Sequence, residues 1–396
     1  MVLSYFRGRV RKIAFHTCPW KVLAGPQRSN DSQEADQASA RLDAFLRRLL
    51  RLENDETIKL VGSGRSAIRL GLAALAALEP RKKAVIVPSY CCSAVLTAIT
   101  DNGLIPLFID TSDILVSRAD QYLSAISADT LGAIVVNLCG RRLPFDEHDT
   151  LLANLRKLGV FSLEDNCQAL CEPPQGARPD MECYSFGFSK SLRATSGGAL
   201  IARVARDEIE RDFAGYECQP KWAPECRYEY YRAKFGGGTV SDQLATNMIQ
   251  ARTEFGRVVM SDLDLCLAAN QLDELPHAID CQVENSLTII EAMGAFSETY
   301  RNQGVENNMF TRLPVILPTP ETSGRFWSFM NERGIELEGM YTPLHMLEEG
   351  RSSGFHLPKS EHVWQRVFNL PNRADMDSRD IKHITRSLTD FAKMTA

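Results

Sequence analysis

The 396-residue sequence has neither an excess of basic residues nor a long apolar run. It contains 45 lysines and arginines against 50 aspartates and glutamates, which gives a formal net charge of −5. Proteins that bind nucleic-acid phosphates need a basic surface, so this balance predicts no nucleic-acid partner. No apolar stretch approaches the roughly 20 residues that a helix needs to cross a bilayer.

A cysteine framework is also missing. The eleven cysteines contain no CxxC pair and follow no regular spacing, and no secretory signal precedes them. An odd number of scattered cysteines predicts reduced thiols in a cytoplasmic protein, and neither a disulfide scaffold nor a metal site. The residues are 44% apolar and 24% charged, as in ordinary globular proteins. The length suits a large core domain plus a smaller one.

Acidic residues are absent from the first 30 positions, where apolar residues such as Ile13 and Phe15 are interleaved with basic ones. The basic residues are Arg7, Arg9, Arg11, Lys12, Lys21 and Arg28. This pattern is typical of a basic amphipathic helix that makes weak contact with an anionic membrane surface. The alternative, which we favour, is an arm that packs on its own domain or on a second subunit. The polar stretch 29–37 is predicted to be a linker, so residues 1–37 form a basic arm and linker.

Strand-like and helix-like segments alternate after this arm. Residues 38–52 have apolar side chains at helical spacing. Short runs rich in β-branched residues follow at 84–88, 105–110, 132–138 and 160–165. Alternation of this kind predicts an α/β fold with a mainly parallel central sheet flanked by helices, in which ligands bind beyond the carboxyl ends of the strands.

We predict a large domain over residues 38–270 and a smaller C-terminal α+β domain over 271–396. The large domain includes a charged, aromatic and helix-forming stretch at about 205–255 that interrupts the alternation, and we call this stretch the excursion.

Four short segments carry residues suited to cofactor chemistry. Small residues at 62–66 (GSGRS) precede a helix, where free backbone N–H groups suit a phosphate; the alternative is a glycine turn with a capping serine. Asp165 ends an apolar strand, where a carboxylate could hold a protonated ring nitrogen or cap the next helix. Lys190 follows another strand in a glycine-containing loop, where a lysine is either a nucleophile or merely solvated. A Gly-Gly strand start comes next, at 197–198.

In this order and spacing the segments resemble the DegT–StrS family of pyridoxal-phosphate (PLP)-dependent sugar aminotransferases. The family motifs SSGTAAL, P-x-Y-T-F, EDAAQ, SF-x-x-x-K and GG-A-L read here as GSGRSAI, PSYCC, EDNCQ, SFGFSK and SGGAL. The resemblance continues through QLDELPHAI (271–279), YTPLH (341–345) and LPNR (370–373). It covers roughly residues 40–396 apart from the excursion, and the joint match is specific.

The resemblance implies PLP fold type I and a homodimer with shared active sites. It assigns Lys190 as the lysine that binds PLP as a Schiff base, Asp165 as the partner of the pyridine nitrogen, and Gln168 as a neighbour of the ring hydroxyl. The cofactor phosphate is expected to be held by one side chain and by a run of backbone groups: Ser185, and Gly64, Arg65 and Ser66.

The sequence departs from the family pattern at several of these positions. The aromatic residue that stacks on the PLP ring falls at Cys92, so that Tyr90 or another residue must cover this face, and Arg65 replaces a threonine. Arg257 is the candidate for the charge that reaches the partner subunit's phosphate. His345, in the YTPLH segment, is a candidate substrate contact; the alternative is a structural histidine.

The implied function is the transfer of an amino group from glutamate or glutamine to a keto acceptor, which in most of the family is a nucleotide-linked keto-sugar. One alternative is a PLP enzyme of another reaction type, such as an elimination or a lyase reaction on a non-sugar substrate. A second alternative is a non-catalytic protein with the PLP fold. The presence of a lysine at 190, an aspartate at 165 and a serine at 185 favours the enzyme.

Overall fold

The centre of the computed structural model is a seven-stranded sheet. The model describes residues 11–20, 32–112, 115–173, 175–253, 256–293 and 309–395. The strands are Thr57–Val61 (β1), Ala84–Pro88 (β2), Ile105–Ile109 (β3), Thr130–Val136 (β4), Phe161–Asp165 (β5), Met181–Ser185 (β6) and Gly198–Ala202 (β7). Their order across the sheet is β1-β7-β6-β5-β4-β2-β3.

Neighbouring strands of this sheet are parallel except where β7 is involved, since β7 runs antiparallel to both β1 and β6. Strands β2 and β4 are buried along their whole length. Burial on both faces explains why their sequences are uninterrupted apolar runs. The predicted α/β fold is confirmed, and the runs at 84–88, 105–110, 132–138 and 160–165 coincide with β2 to β5 to within two residues.

Helices cover both faces of the sheet. In chain order the α-helices of the described residues are Ser32–Leu49 (α1), Gly64–Leu78 (α2), Ser93–Thr100 (α3), Ala119–Ser124 (α4), Phe145–Lys157 (α5), Arg206–Phe213 (α6), Trp222–Phe235 (α7), Asp242–Thr253 (α8), Asp262–Ala269 (α9), Leu275–Ala292 (α10), Pro320–Glu332 (α11), Pro358–Val363 (α12) and Ser378–Thr395 (α13). Val85 and Val87 of β2 pack in the same core as α2 and α3, whereas Ile86 packs in the core that holds α4 and α5. Alternate residues of one strand therefore serve opposite faces.

The excursion consists of helices α6, α7 and α8, so its helical character is confirmed. A second core joins Leu42 of α1, Tyr231 of α7 and Leu267 of α9 to Phe186 and Phe188, which follow β6. The excursion thus packs against the segment that leads to residue 190.

A second, three-stranded sheet lies in the C-terminal part of the chain. Its strands are Leu313–Ile316 (β8), Glu338–Gly339 (β9) and Val367–Leu370 (β10), in the order β8-β10-β9, and all are antiparallel. Helices α11 and α13 share its core through residues such as Phe326 and Phe391. The domain boundary predicted at residue 270 falls between α9 and α10 and stays a prediction.

Residues 11–20, which we call the N-terminal strap, run from the small sheet to the large domain. Ile13 forms a parallel bridge with Ile335 and is buried, as is Phe15. The far end of the strap is Trp20, whose indole Nε1 donates to the carbonyl of Arg193 at 3.1 Å. The apolar residues of the strap are therefore covered by their own chain.

The sequence interpretation of the N-terminal region was partly wrong. The linker was predicted at 29–37, but α1 begins at Ser32, because Ala35 and Ala38 pack into the core beside Leu42. The remainder of the predicted basic arm, residues 1–10 and 21–31, lies outside the described residues. Among those that are described, no helix is long and apolar enough to cross a membrane.

Candidate active site

An open cleft with a volume of about 510 Å³ lies at the carboxyl ends of β4, β5 and β6. In a parallel sheet this edge collects the loops that follow the strands, and it is where ligands of α/β proteins bind. The residues that line the cleft are Ser63, Gly64, Arg65, Ile68, Cys92, Ser93, Ala94, Val95, Val136, Asn137, Leu138, Asp165, Cys167, Gln168, Ser185, Lys190, Ser196 and Arg252. Most of the predicted site residues are thus brought together in one place.

One end of the cleft is the first turn of α2. Ser63 caps this helix, since its Oγ accepts from the backbone N–H of Ser66 at 3.1 Å. A Cβ atom at Gly64 would lie 2.6 Å from the Cys167 Sγ and 2.9 Å from the Ser185 Cβ. Glycine is therefore required here, because it lets the helix end approach β5 and β6. The N–H of Ser66 is thus taken by the cap, and the start of the helix at Gly64 and Arg65, where backbone N–H groups lie at the end of the cleft, suits an anion.

Asp165 is the last residue of β5 and is only 6% exposed. Its Oδ1 accepts from the backbone N–H of Cys167 at 3.0 Å. Burial, and then the charge of Asp165, raise the pKa of the Cys167 thiol well above its ordinary value. Cys167 is therefore a neutral neighbour, and the carboxylate of Asp165 faces the cleft as its anionic group.

Lys190 and Ser185 flank the turn that leaves β6. The backbone N–H of Lys190 donates to the carbonyl of Gly187 at 2.9 Å, and that of Gly187 lies 3.4 Å from the Ser185 Oγ. A bond of 2.6 Å from the N–H of Ala194 to the carbonyl of Phe186 closes the loop behind the lysine. The loop thus holds the amine of Lys190 and the hydroxyl of Ser185 in the same cleft.

Gln168 is positioned by one hydrogen bond to the large domain and one to the small domain. Its Oε1 accepts from the N–H of Cys139 at 2.6 Å, and its Nε2 donates to the hydroxyl of Tyr341 at 2.7 Å. Tyr341 belongs to the YTPLH segment beyond β9, so the small domain orients a residue of the cleft. The sequence marked this segment as family-like but did not predict a role for its tyrosine.

Four predicted site residues lie outside the lining of the cleft. Ser66 is fully buried, and its backbone N–H is bonded to the Ser63 Oγ. Tyr90 is 1% exposed within the core of the large sheet, so it does not cover a ligand in the cleft. Arg257 forms an ion pair with Asp212 of α6. His345 is buried between Ser89, whose Oγ lies 2.6 Å from its Nδ1, and Glu361, whose Oε1 lies 3.1 Å from its Nε2. This placement is that of a structural histidine in the described chain.

Two features of the lining were not predicted from the sequence. Arg252 reaches the cleft from α8 of the excursion. Among the described residues that line the cleft none is aromatic, and Cys92, at the start of α3, occupies the position where the family has its stacking ring.

A buried ion pair contacts the loop between β6 and β7, residues 186–197, which contains Lys190 and which we call the lysine loop. Asp264 of α9 is 0% exposed and Arg227 of α7 is 1% exposed, and their Oδ2 and Nη2 atoms are 3.1 Å apart. The other oxygen of Asp264 accepts from the backbone N–H groups of Thr195 and Ser196, at 2.9 and 3.1 Å. Ser196 lines the cleft, and its Oγ donates to the carbonyl of Gly62 at 2.6 Å. The pair therefore joins the lysine loop to the strand end that precedes α2.

Another buried polar pair lies behind Asp165. The side chain of Glu164 points to the opposite face of β5, where it forms a short hydrogen bond with His148 of α5. Burial alone would raise the pKa of Glu164, but the hydrogen bond and charge of His148 outweigh this effect and hold that pKa at about 2. Burial alone would lower the pKa of His148. The hydrogen bond to Glu164 and the charge of Glu164 outweigh this effect and raise that pKa above its ordinary value. The pair ties α5 to the strand that carries Asp165.

These residues fit a cofactor that has a phosphate, a reactive aldehyde and a basic ring nitrogen. The glycine cradle at Gly64 and the first turn of α2 suit the phosphate, Lys190 suits the aldehyde, and the buried carboxylate of Asp165 suits a protonated ring nitrogen. Within the described residues no cluster of His, Cys, Asp and Glu is arranged as a metal site.

Comparisons with known proteins agree with this fit. The model of the DegT/DnrJ/EryC1/StrS aminotransferase family matches residues 27–389. The UDP-N-acetyl-3-dehydro-alpha-D-glucosamine 3-aminotransferase of Acidithiobacillus ferrooxidans is 24% identical over 330 residues, which are 81% of this chain and 80% of the relative.

Solved structures show the same fold. PseC of Helicobacter pylori, an aminotransferase involved in the biosynthesis of pseudoaminic acid, has a TM-score of 0.71 at 14% identity, over 97% of this chain and 100% of that chain. NtdA of Bacillus subtilis, with bound cofactor PMP, has a TM-score of 0.68 at 16% identity, over 91% of this chain and 82% of that chain. The chain has PLP fold type I. Because the family model spans most of its length, the chain belongs to the DegT/DnrJ/EryC1/StrS aminotransferase family and is a PLP-dependent aminotransferase.

Proposed function

We propose that this aminotransferase moves an amino group from glutamate or glutamine to the keto carbon of a nucleotide-linked sugar, with Lys190 as the residue that binds PLP covalently. The observation that carries the proposal is that Lys190, Asp165, Gln168, Ser185 and the Gly64 cradle line one cleft. The sugar acceptor is supported by the relative from Acidithiobacillus ferrooxidans, whose name specifies a UDP-linked dehydro-sugar.

Each polar residue of the cleft has a chemical task in this proposal. PLP, when bound, supplies an electron sink for charge that develops on the substrate carbon. Asp165 keeps a proton on the ring nitrogen, because a buried carboxylate favours the charged form of its partner. The amine of Lys190, once released, carries a proton to and from the substrate carbon as general acid and base. Ser185 and the first turn of α2 would hold the phosphate, and Gln168 would hold the ring hydroxyl.

The visible absorption spectrum of the purified protein tests this proposal. We expect a yellow band from PLP bound to Lys190 that glutamate or glutamine bleaches. Lys190→Ala should lose or shift this band, whereas Lys59→Ala should keep it, because Lys59 of β1 pairs with Glu210 of α6 and is not part of the cleft lining. A band that no amino donor bleaches would point instead to elimination or lyase chemistry. Failure to bind added PLP would favour a non-catalytic protein.

The assembly and location of the enzyme belong to the same proposal. We expect a homodimer in which Arg257 reaches the phosphate of the cofactor bound to the partner subunit. We also expect a cytoplasmic enzyme with reduced thiols. Size-exclusion chromatography coupled to light scattering measures the first expectation directly, and a mass near 44.2 kDa, that of one chain, would contradict it.

A further inference from the structure

Arg252 is a charged residue of the cleft that the proposed chemistry does not use. It lies near the end of α8 in the excursion and lines the same cleft as Lys190 and Asp165. Its Nη2 donates to the hydroxyl of Tyr231 at 3.3 Å. In the described part of the chain no carboxylate pairs with it. Its guanidinium is exposed at the wall of the cleft, and a guanidinium presents five N–H donors in a fixed fork.

Contacts within the excursion fix the position of Arg252 relative to the lysine loop. The ring of Tyr231 stacks on Phe188, two residues before Lys190, with centroids 4.3 Å apart and planes at 9°. Arg227, which joins Asp264 in the buried ion pair, also donates from Nη1 to the carbonyl of Ala251 at 3.3 Å. Both the side chain of Arg252 and the backbone just before it are therefore fixed by groups that contact the lysine loop.

The charges of the cleft favour an anionic ligand. Its charged lining consists of three cations and one carboxylate: Arg65, Lys190, Arg252 and Asp165. In the proposed function Lys190 and Asp165 are engaged with the aldehyde and the ring nitrogen. Two guanidinium groups, those of Arg65 and Arg252, also line this cleft of about 510 Å³, which is large enough for a cofactor together with part of a substrate.

The chain that follows Arg252 returns to the end of α2 that suits a phosphate. The hydroxyl of Ser66, in the first turn of this helix, donates to the carbonyl of Gly256 at 3.1 Å. The N–H of Gly62 donates to the carbonyl of Val258 at 2.8 Å. The excursion therefore ends against the same GSGRS segment that opens the cleft.

We propose that Arg252 binds a phosphate group in this cleft, either that of the cofactor or the diphosphate of a nucleotide-linked substrate. A guanidinium recognises phosphate oxygens through two parallel N–H bonds, which a single ammonium cannot reproduce. The function of the excursion in this proposal is to place an anion-binding side chain in the active site. This inference rests on the proposed function for the location of the active site.

Binding measurements on three variants test the inference without requiring turnover. Arg252→Met removes the charge, Arg252→Lys keeps a point charge, and Arg232→Met removes an exposed charge of α7 that pairs with Glu229 away from the cleft lining. The dissociation constant of PLP is measured by absorbance titration of the apo-protein. That of UDP is measured by calorimetry on the PLP-loaded protein.

We expect Arg252→Met to weaken one of these two ligands by about tenfold or more, as the loss of a charge-assisted hydrogen bond to phosphate implies. Arg252→Lys should recover part of the loss, and Arg232→Met should change neither constant. A weaker PLP complex identifies the cofactor phosphate as the ligand, and a weaker UDP complex identifies the substrate diphosphate.

Dissociation constants of Arg252→Met within twofold of wild type for both PLP and UDP would overturn the inference while leaving the proposed function intact. Wild-type protein that binds neither compound would instead overturn both, because the cleft would then hold no phosphate. The two failures are thus separated by the behaviour of the wild type alone.

Discussion

Replacing Arg227 by methionine should destabilise the protein severely, because it leaves the carboxylate of Asp264 buried without its cation. The two side chains are 1% and 0% exposed, and their charged atoms are 3.1 Å apart. Methionine keeps most of the apolar stem, so the loss is chiefly electrostatic. Removing one partner of such a buried pair costs about 3–5 kcal/mol in the free energy of unfolding.

A double-mutant cycle separates the pair from the rest of the network. Asp264→Asn keeps the shape of the side chain and removes its charge, so the double variant Arg227→Met/Asp264→Asn has no buried charge left at this position. We expect the double variant to cost about 1–3 kcal/mol less than the sum of the single ones. Urea unfolding followed by circular dichroism, with PLP in excess, gives the three differences.

The exposed pair between Arg232 and Glu229 provides the matched control. Its side chains are 52% and 46% exposed, so Arg232→Met should cost less than about 1 kcal/mol. Two results would refute the view that the ion pair supports the lysine loop. One is a double variant whose loss in the free energy of unfolding equals the sum of the two single losses. The other is an Arg227→Met protein whose free energy of unfolding is within about 1 kcal/mol of wild type.

Two further predictions concern β5 and the start of α2. A folded-state pKa of about 2 for Glu164, against an ordinary 4.5, adds stability above pH 4.5 that is lost as the pH falls. The raised pKa of His148 adds stability below its ordinary value of 6.5 that is lost as the pH rises through the folded value. Thermal unfolding of His148→Gln should therefore show the largest deficit between pH 4.5 and 6.5 and a smaller one at alkaline pH, whereas a constant deficit would exclude a charged pair. Gly64→Ala should weaken PLP binding about tenfold or more, since its Cβ would lie 2.6 Å from the Cys167 Sγ. Gly324→Ala, which meets nothing within 4 Å, should leave that affinity unchanged, and equal effects of the two would contradict the cradle.

The sequence predicted those parts of the fold that depend on local apolar patterns and ordered motifs. The buried runs of β2 and β4 could be recognised because helices cover them on both faces, which removes the alternation of a half-exposed strand. Asp165, Ser185 and Lys190 were placed in one cleft because their motifs follow strands whose carboxyl ends share an edge.

What the sequence could not predict depends on contacts between distant segments. Arg252 lies in the last turn of a helix with a weakly amphipathic sequence, and only the packing of the excursion on Phe188 directs it to the cleft. Ser32 to Gln37 look like a polar linker until the burial of Ala35 is known. Tyr90 and Cys92 are two residues apart, and only the turn between β2 and α3 decides which of them lines the cleft.

The N-terminal strap also determines the order in which the protein can be completed during synthesis. The backbone N–H of Phe15 donates to a carboxylate of Glu336, which is 321 residues later in the chain. At roughly 5–20 residues per second, the ribosome makes that partner about 15–60 s after the strap. Until then Ile13 and Phe15 have no place to be buried, although the strands of the large sheet are already available to pair. Docking of the strap is therefore a late event, and the newborn chain carries a short apolar segment that chaperones can hold while the small domain is still being translated.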